Sequence, residues 1–273
     1  MIADDRAAGP VSFNAVDTSA DPGGLIRFLD AANGTAGLTA AKRALLTQLD
    51  LGRARAALDV GCGPGIDVAE MAQHMPDDAH VSGIDISETM IAEARKRTAG
   101  LGPQVLLRTG DAADLPYSDQ AFDVCRVATV LQHVPDPARV IQEMARVTRP
   151  GGRIGVLEFD QETVFVDHPD TKTTQIILDT LASAMVQGRI GRQTPRLLRA
   201  AGLTDVTVTP WVNLGSPQFF RAILHDHLAR LADEGILSSE RSGQWWAELD
   251  AWAQAADFLG GGVFFAVAAS RPR

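Results

Sequence analysis

Cysteine is nearly absent: Cys62 and Cys125 are the only two in 273 residues, too few for a disulfide framework or a four-ligand zinc site. The longest apolar stretch, around Val263 to Ala269, falls far short of the roughly 20 residues that a membrane-spanning helix needs. No block of like charges interrupts the chain, and acidic residues outnumber basic ones by 34 to 25, a formal charge of −9. Such a balance argues against binding to nucleic acid or an anionic membrane, because phosphate recognition relies on clustered Lys and Arg. Carboxylates at metal-ligand spacing are missing too. The start of the chain, Met1-Ile2-Ala3-Asp4-Asp5-Arg6, is acidic and has no hydrophobic run, so no signal or transit peptide is expected. These absences leave a soluble, reduced, cytoplasmic protein as the expectation. Hydrophobic residues make up 45% of the chain, enough for a full core.

Short apolar runs alternate with helical patterns, the mark of a doubly wound parallel sheet with helices on both faces. Strands are expected at Ala56 to Val60, His80 to Asp85, Val105 to Arg108, Phe122 to Val127, Arg153 to Phe159, Val206 to Val212 and Val263 to Ala269. Seven strands make an α/β fold. Helix signals fall between them: Ile66 to Met75 before Pro76, a helix capped by Ser87, and one opened by Asp136 and Pro137 with Val140, Met144 and Val147 on one face. Thr194 and Pro195 repeat the cap-plus-proline device ahead of Gly202. Residues 1–52 read as N-terminal helices, 53–159 as a ligand-binding core, and 160–273 as the completion of the sheet. The last part carries two long helical insertions, about 160–192 and 213–260, with Ile177 and Leu181 in one and Leu224, Leu228, Trp245 and Leu249 in the other. Insertions of this length between strands commonly cover a ligand as a cap.

The first strand ends at Asp59-Val60-Gly61-Cys62-Gly63-Pro64-Gly65 and leads into a helix. Glycines there let a ligand approach the backbone while free N–H groups point at it. Asp85 closes the next strand, where a carboxylate can accept hydrogen bonds from both hydroxyls of a ribose. Loop and acid together point to an adenosine ligand. A dinucleotide is disfavoured: the fingerprint's last glycine is replaced by Ile66, and the loop's sequence neighbours Asp59, Asp67 and Glu70 offer no cation to a diphosphate.

With these motifs, with Gly83-Ile84-Asp85-Ile86-Ser87 and Met90, with Gly110-Asp111-Ala112-Ala113-Asp114-Leu115-Pro116-Tyr117, with Leu131-Gln132-His133-Val134-Pro135-Asp136-Pro137, and with Arg149-Pro150-Gly151-Gly152, the chain resembles the class I S-adenosylmethionine-dependent methyltransferases. The likeness is to the branch that includes ubiquinone and menaquinone biosynthesis enzymes, and it implies a Rossmann-like, mostly parallel sheet. It puts Gly61, Cys62, Gly63 and Gly65 against the amino-acid end of S-adenosylmethionine, Asp59 near its ammonium, and Asp85 on its ribose. Ile86 and Met90 would flank the adenine, Gly110, Asp111 and Ala112 would meet its edge, and Ala128, Thr129 and His133 would line the boundary with the acceptor. The segment after the fourth strand, Ala128-Thr129-Val130-Leu131, lacks the Asn- or Asp-Pro-Pro-Tyr signature of methylases that act on DNA or on protein glutamine.

The expected activity is methyl transfer to a small, fairly apolar molecule, such as a natural-product or quinone-like hydroxyl. A non-methylating enzyme that keeps the cofactor, or a cofactor-sensing protein, is the alternative, since fold does not fix chemistry. The substrate-facing candidates are Phe159, Phe219 and Trp246, the last lying off the stripe of Trp245 and Trp252. For a base with a pKa suited to neutral pH, His133 stands first and His227, in the apolar stripe of an insertion helix, second. His74, His80 and His168 are expected on surface turns or strand ends. No metal is expected, and monomer and homodimer both stay open.

Overall fold

The computed structural model describes Phe13 and residues 15–273, so the acidic stretch Met1 to Arg6 lies outside the described residues. The sheet is built from β1 (Ala56–Val60), β2 (His80–Asp85), β3 (Val105–Thr109), β4 (Phe122–Ala128), β5 (Thr148–Val166), β6 (Thr204–Leu214) and β7 (Gly260–Ser270). Their order is β3-β2-β1-β4-β5-β7-β6. β1 to β5 run parallel, and β7 lies antiparallel between β5 and β6. Every residue of β1 is buried, as expected of a central strand covered on both faces. The chain leaves β1 toward β2 and β3, then returns to β4 on the other side, and that reversal opens a crevice at the carboxyl ends of β1 and β4.

Helices α1 (Pro22–Asn33), α2 (Ala36–Leu49), α3 (Ile66–Gln73) and α4 (Glu88–Thr98) precede β3, and α5 (Pro137–Val147) and α7 (Ile190–Ala200) follow β4 and β5. Leu45 and Leu49 of α2, Met71 of α3 and Ile91 of α4 pack on one face of the sheet. Ile141 and Met144 of α5 with Leu198 of α7 fill the other. Asp136 caps α5 as its sequence suggests, with Oδ1 accepting from the Arg139 amide at 3.0 Å. α6 (Thr171–Ala184), α8 (Pro217–Asp233) and α9 (Ser239–Gln254) form the cap around a core of their own, centred on Trp245, Phe220, Leu224 and Leu228.

Three local expectations are corrected. Thr194 and Pro195 do not open a helix: α7 begins at Ile190, Pro195 sits inside it, and the buried Thr194 hydroxyl donates to the Ile190 carbonyl. β5 runs on past Phe159 to Val166, because the polar interruption Asp160-Gln161-Glu162 is an irregularity in its ladder with β7, not its end. Thr163 fills that gap by accepting from the Val263 amide at 2.8 Å. His168 is buried, not exposed: its ring stacks on Trp245, its Nδ1 accepts from the Asp170 amide, and its Nε2 donates to the Trp245 carbonyl.

Candidate active site

A cavity of about 630 Å³ occupies the crevice between the carboxyl ends of the strands and the cap, within the range of small-molecule sites. The β1 loop forms its floor. Gly61, Gly63 and Gly65 take φ of 67°, 51° and 83°, the left-handed region in which glycine carries no steric penalty. A side chain at Gly61 would run into Val130 and one at Gly65 into Ala94, whereas the open side of Gly63 meets nothing nearer than Leu29 Cδ1 at 3.8 Å. The first and third glycines therefore serve close packing, and the middle one leaves backbone bare to the cavity. Cys62 sits between them, buried, its thiol pushed far up by burial and so chemically quiet.

Asp85 is tied to this loop. Its Oδ2 accepts from the Gly63 amide at 2.8 Å and its Oδ1 from the Ser87 amide at 2.9 Å, which fixes the carboxylate and leaves one lone pair on each oxygen for a ligand. Met90 is buried behind it, and Ile86, 59% exposed, stands at the rim. Gly110, Asp111 and Ala112 line the wall beyond, the Gly110 amide bonded to the Asp85 carbonyl. The expected cofactor residues thus converge on one cavity, with two exceptions, Gly65 and Asp59.

Gly65 packs against Ala94 of α4 instead of lining the cavity, and Asp59 is turned away altogether. It is 2% exposed and faces away from the cavity, with Oδ1 accepting from Arg126 of β4 at 2.9 Å. Arg126 also lies 3.0 Å from Asp67 Oδ2, and the same Asp67 oxygen accepts from Lys42 Nζ at 2.7 Å. A buried cation needs partners, so Asp59 is committed to Arg126. Lys42 corrects a second expectation, that no cation stands near the loop: it arrives from α2, distant in sequence, and lines the cavity with Asp67 and Asn33. Its charge is already matched by Asp67, which keeps the loop a poor site for a diphosphate.

Ala128, Thr129 and His133 border the other half of the cavity. Thr129 has φ of 57° and its amide bonds the Leu157 carbonyl. The amides of Val130 and Leu131 both donate to Glu158 Oε1, at 2.9 and 2.7 Å. Glu158 is fully buried, and burial pushes its carboxyl up to about 8, so the loop that carries His133 is anchored on a mostly protonated acid at neutral pH. Burial holds His133 itself down to about 4, and the ring is neutral at pH 7. Its edge meets Phe13, with centroids 5.3 Å apart. Phe28 stacks on Phe219 at 6.0 Å, and Phe159 packs against Phe264 at 4.9 Å; all line the cavity. Its charged residues, Lys42, Asp67, Asp85 and Asp111, stand at the loop end, while Asp136 is engaged in capping α5. Among the described residues the aromatic half offers Thr129, Gln132, His133, Gln161 and Asn213 as polar groups, with Gln161 donating to Gln132 at 3.4 Å.

Two further expected residues fall outside this cavity. His227 is buried inside the cap, where Nε2 bonds Thr180 Oγ1 at 3.0 Å and Nδ1 accepts from Arg230 at 2.8 Å. It is a packed polar link between α6 and α8, and not the candidate base that its place in an apolar stripe suggests. Trp246 lies on Trp245 with the Arg221 guanidinium 4.4 Å from its ring centre, and the cavity wall is made instead by Phe219, Phe220 and Ile223. Among the described residues, no group of three His, Cys, Asp or Glu could hold a metal ion, and no helix is long and apolar enough to cross a membrane.

Residues 57–152 match a family model described as a methyltransferase domain. The chain is 37% identical over 120 residues to a demethylmenaquinone methyltransferase of Halalkalibacterium halodurans, covering 44% of this chain and 49% of that protein. It is 41% identical over 104 residues to the 27-O-demethylrifamycin SV methyltransferase of Amycolatopsis mediterranei, covering 37% and 38%. The chain spans about half the length, or less, of these curated relatives. Among solved structures, the YcgJ protein of Bacillus subtilis superposes with a TM-score of 0.62 at 15% identity, over 86% of this chain and 99% of that one. The [4+2]-cyclase SpnF superposes with a TM-score of 0.53 at 26% identity, over 86% and 83%.

Proposed function

From the premise that this chain contains a methyltransferase domain of the class I, S-adenosylmethionine-dependent type, we propose that it transfers a methyl group to a hydroxyl of a small, neutral, largely apolar molecule. One observation carries the reading: the glycine loop with Asp85 and an aromatic chamber open into the same cavity, with His133 at their boundary. The residues present fit an adenosyl ligand with an amino-acid tail. The bare backbone at Gly63 suits close approach, Asp85 keeps lone pairs for the ribose, Ile86 and Met90 flank the adenine, and Asp111 with the Ala112 backbone meets its edge. S-adenosylmethionine, when bound, supplies an electrophilic methyl for direct displacement.

The chain's task is then alignment and exclusion of water, which account for most of the acceleration in such a transfer. Phe159, Phe219 and the neighbouring rings hold the acceptor's apolar body. His133, held by burial at about 4 and so a weaker base than the near-neutral one expected of it, accepts the hydroxyl proton only as the new bond forms and the acceptor oxygen turns acidic. Among the described residues, a charged acceptor headgroup finds no partner in the aromatic half apart from Asp136, whose Oδ1 caps α5. The demethylmenaquinone and demethylrifamycin relatives, by their names, act on molecules of comparable character.

The test pairs calorimetry with product analysis. Binding of S-adenosylhomocysteine, no binding of NAD, and mass-labelled methyl appearing in an apolar phenol or enol support the reading. Cofactor binding with unmethylated but rearranged product favours the non-methylating alternative, to which the likeness to a cyclase lends weight.

A further inference from the structure

The adenosine half of the cofactor is accounted for by the motifs, but the residue expected to meet its ammonium, Asp59, is locked behind the loop on Arg126. An α-amino acid tail carries both a carboxylate and an ammonium, and the cavity wall offers both complements side by side. Lys42 is 6% exposed, and its ammonium uses two donors on Asp67 Oδ2 and Asn33 Oδ1. An ammonium has three donors, so one is left, and Lys42, Asn33 and Asp67 all line the cavity beside Gly61 and Gly63. Lys42 donates to Asp67 Oδ2, and Arg126 Nη2 forms an ion pair with that same oxygen at 3.0 Å, which leaves Oδ1 for a cation.

We propose that Lys42 and Asp67 are the clamp for the zwitterionic end of the cofactor, Lys42 taking its carboxylate and Asp67 its ammonium. The proposal rests on the cofactor reading above. Its electrostatic logic lies in the buried set as a whole. Asp59, Asp67, Arg126 and Lys42 are two acids and two bases, so the wall is neutral before a ligand arrives. It stays neutral when a zwitterion, itself of zero net charge, docks with its poles matched. A ligand bearing only one of the two charges would leave one pole of the clamp desolvated and unpaired, which is costly. Arg126, 1% exposed and held by both carboxylates, keeps Asp67 in place; burial pushes the Asp67 carboxyl up, but the adjacent Arg126 and Lys42 outweigh it and hold the carboxyl down to about 2. The amino-acid tail is therefore read by α2 and the first turn of α3, elements outside the glycine loop.

The experiment compares two ligands that share adenosine and sulfur, S-adenosylhomocysteine and 5′-methylthioadenosine, the second lacking the amino-acid end. Lys42→Met is expected to weaken S-adenosylhomocysteine by roughly 10- to 100-fold, the range for a hydrogen bond to a charged group, and to leave 5′-methylthioadenosine within about twofold. Lys42→Arg should restore most of the lost affinity, and Asp67→Asn should likewise weaken only the first ligand. Equal loss of both ligands overturns the clamp, because Lys42 would then be shaping the loop and not reading the tail. So does unchanged binding of S-adenosylhomocysteine to Lys42→Met. Failure of the native protein to bind either ligand is a different result: it overturns the cofactor reading itself, and the clamp with it.

Discussion

Replacing Gly61 by alanine tests the geometry of the loop most directly, because two separable costs are visible in the structure. The residue has φ of 67°, and an L-residue there costs roughly 1–2 kcal/mol. The added methyl would lie 2.3 Å from Val130 Cγ2 and 2.9 Å from Cγ1, an overlap that must be relieved by moving the chain, at roughly 1–3 kcal/mol. The sum, about 2–5 kcal/mol, should appear as a lowered midpoint in urea unfolding with an unchanged slope. The second cost can be largely removed on its own: a Val130→Ala background deletes both close methyls and leaves only the Cβ, 3.2 Å away, so adding the methyl at position 61 should then cost about 1–2 kcal/mol. A coupling of about 1–3 kcal/mol between the two sites follows. If Gly61→Ala were within about 0.5 kcal/mol of the native protein, or cost the same with and without the Val130 methyls, the reasoning would be wrong. Since Val130 stands in the loop between Thr129 and His133, the single variant should also weaken S-adenosylhomocysteine.

Asp85→Ala should cost about 1.5–3 kcal/mol of affinity for S-adenosylhomocysteine, measured by calorimetry, and unlike Lys42→Met it should weaken 5′-methylthioadenosine as well. His133→Ala should lower turnover on a neutral hydroxyl acceptor by roughly 10²–10⁴-fold with cofactor affinity intact; normal turnover would show that the acceptor reaches the site already ionised. Trp246→Ala should leave acceptor and cofactor binding unchanged while lowering the melting temperature, because the ring packs inside the cap. Glu158→Gln should change stability in a pH-dependent way. The carboxyl is raised by burial from its ordinary value of 4.5 to about 8, so its contribution is full below pH 4.5 and is lost as pH rises through 8. The amide keeps an oxygen for the Val130 and Leu131 amides, and the variant should match the native protein at pH 5 and exceed it by about 2–4 kcal/mol at pH 9; equal stability at both pH values would refute the assignment.

The positions of the strands along the chain and the placing of the glycine loop were legible because they rest on short-range signals. Ala56–Val60 reads as a buried central strand from its apolar run, and Asp136-Pro137 reads as a helix start from a cap and a proline that act within one turn. Errors arose where tertiary packing overrode such signals. Thr194-Pro195 has the same local appearance, yet α7 starts at Ile190: Gly191 fits tightly against Asp160 and Phe265, and the Arg192 side chain and amide bond the buried Asp160 carboxylate. Packing against β5 therefore fixes the helix start four residues before the sequence signal. The polar run Asp160-Gln161-Glu162 misled in the same way, since the strand survives it through the Arg192 ion pair and the Thr163 hydroxyl.

In the site, the backbone-reading residues were legible and the charge partners were not, and Arg126 shows why. Beyond Asp123 at its start, β4 is apolar except for this one buried cation, and such a charge cannot stay buried without a carboxylate. The partner had to come from a neighbouring strand. Parallel register sets Asp59 directly beside Arg126, so the acid at the start of the glycine loop was committed by the strand pairing before any ligand is considered. Once Asp59 is spent on Arg126, the tail of the cofactor must find other charges. Those that reach the cavity, Lys42 and Asp67, lie 25 positions apart in sequence and meet only because α2 crosses the start of α3. No motif spans that distance, but the demand for them was already present in one misplaced arginine.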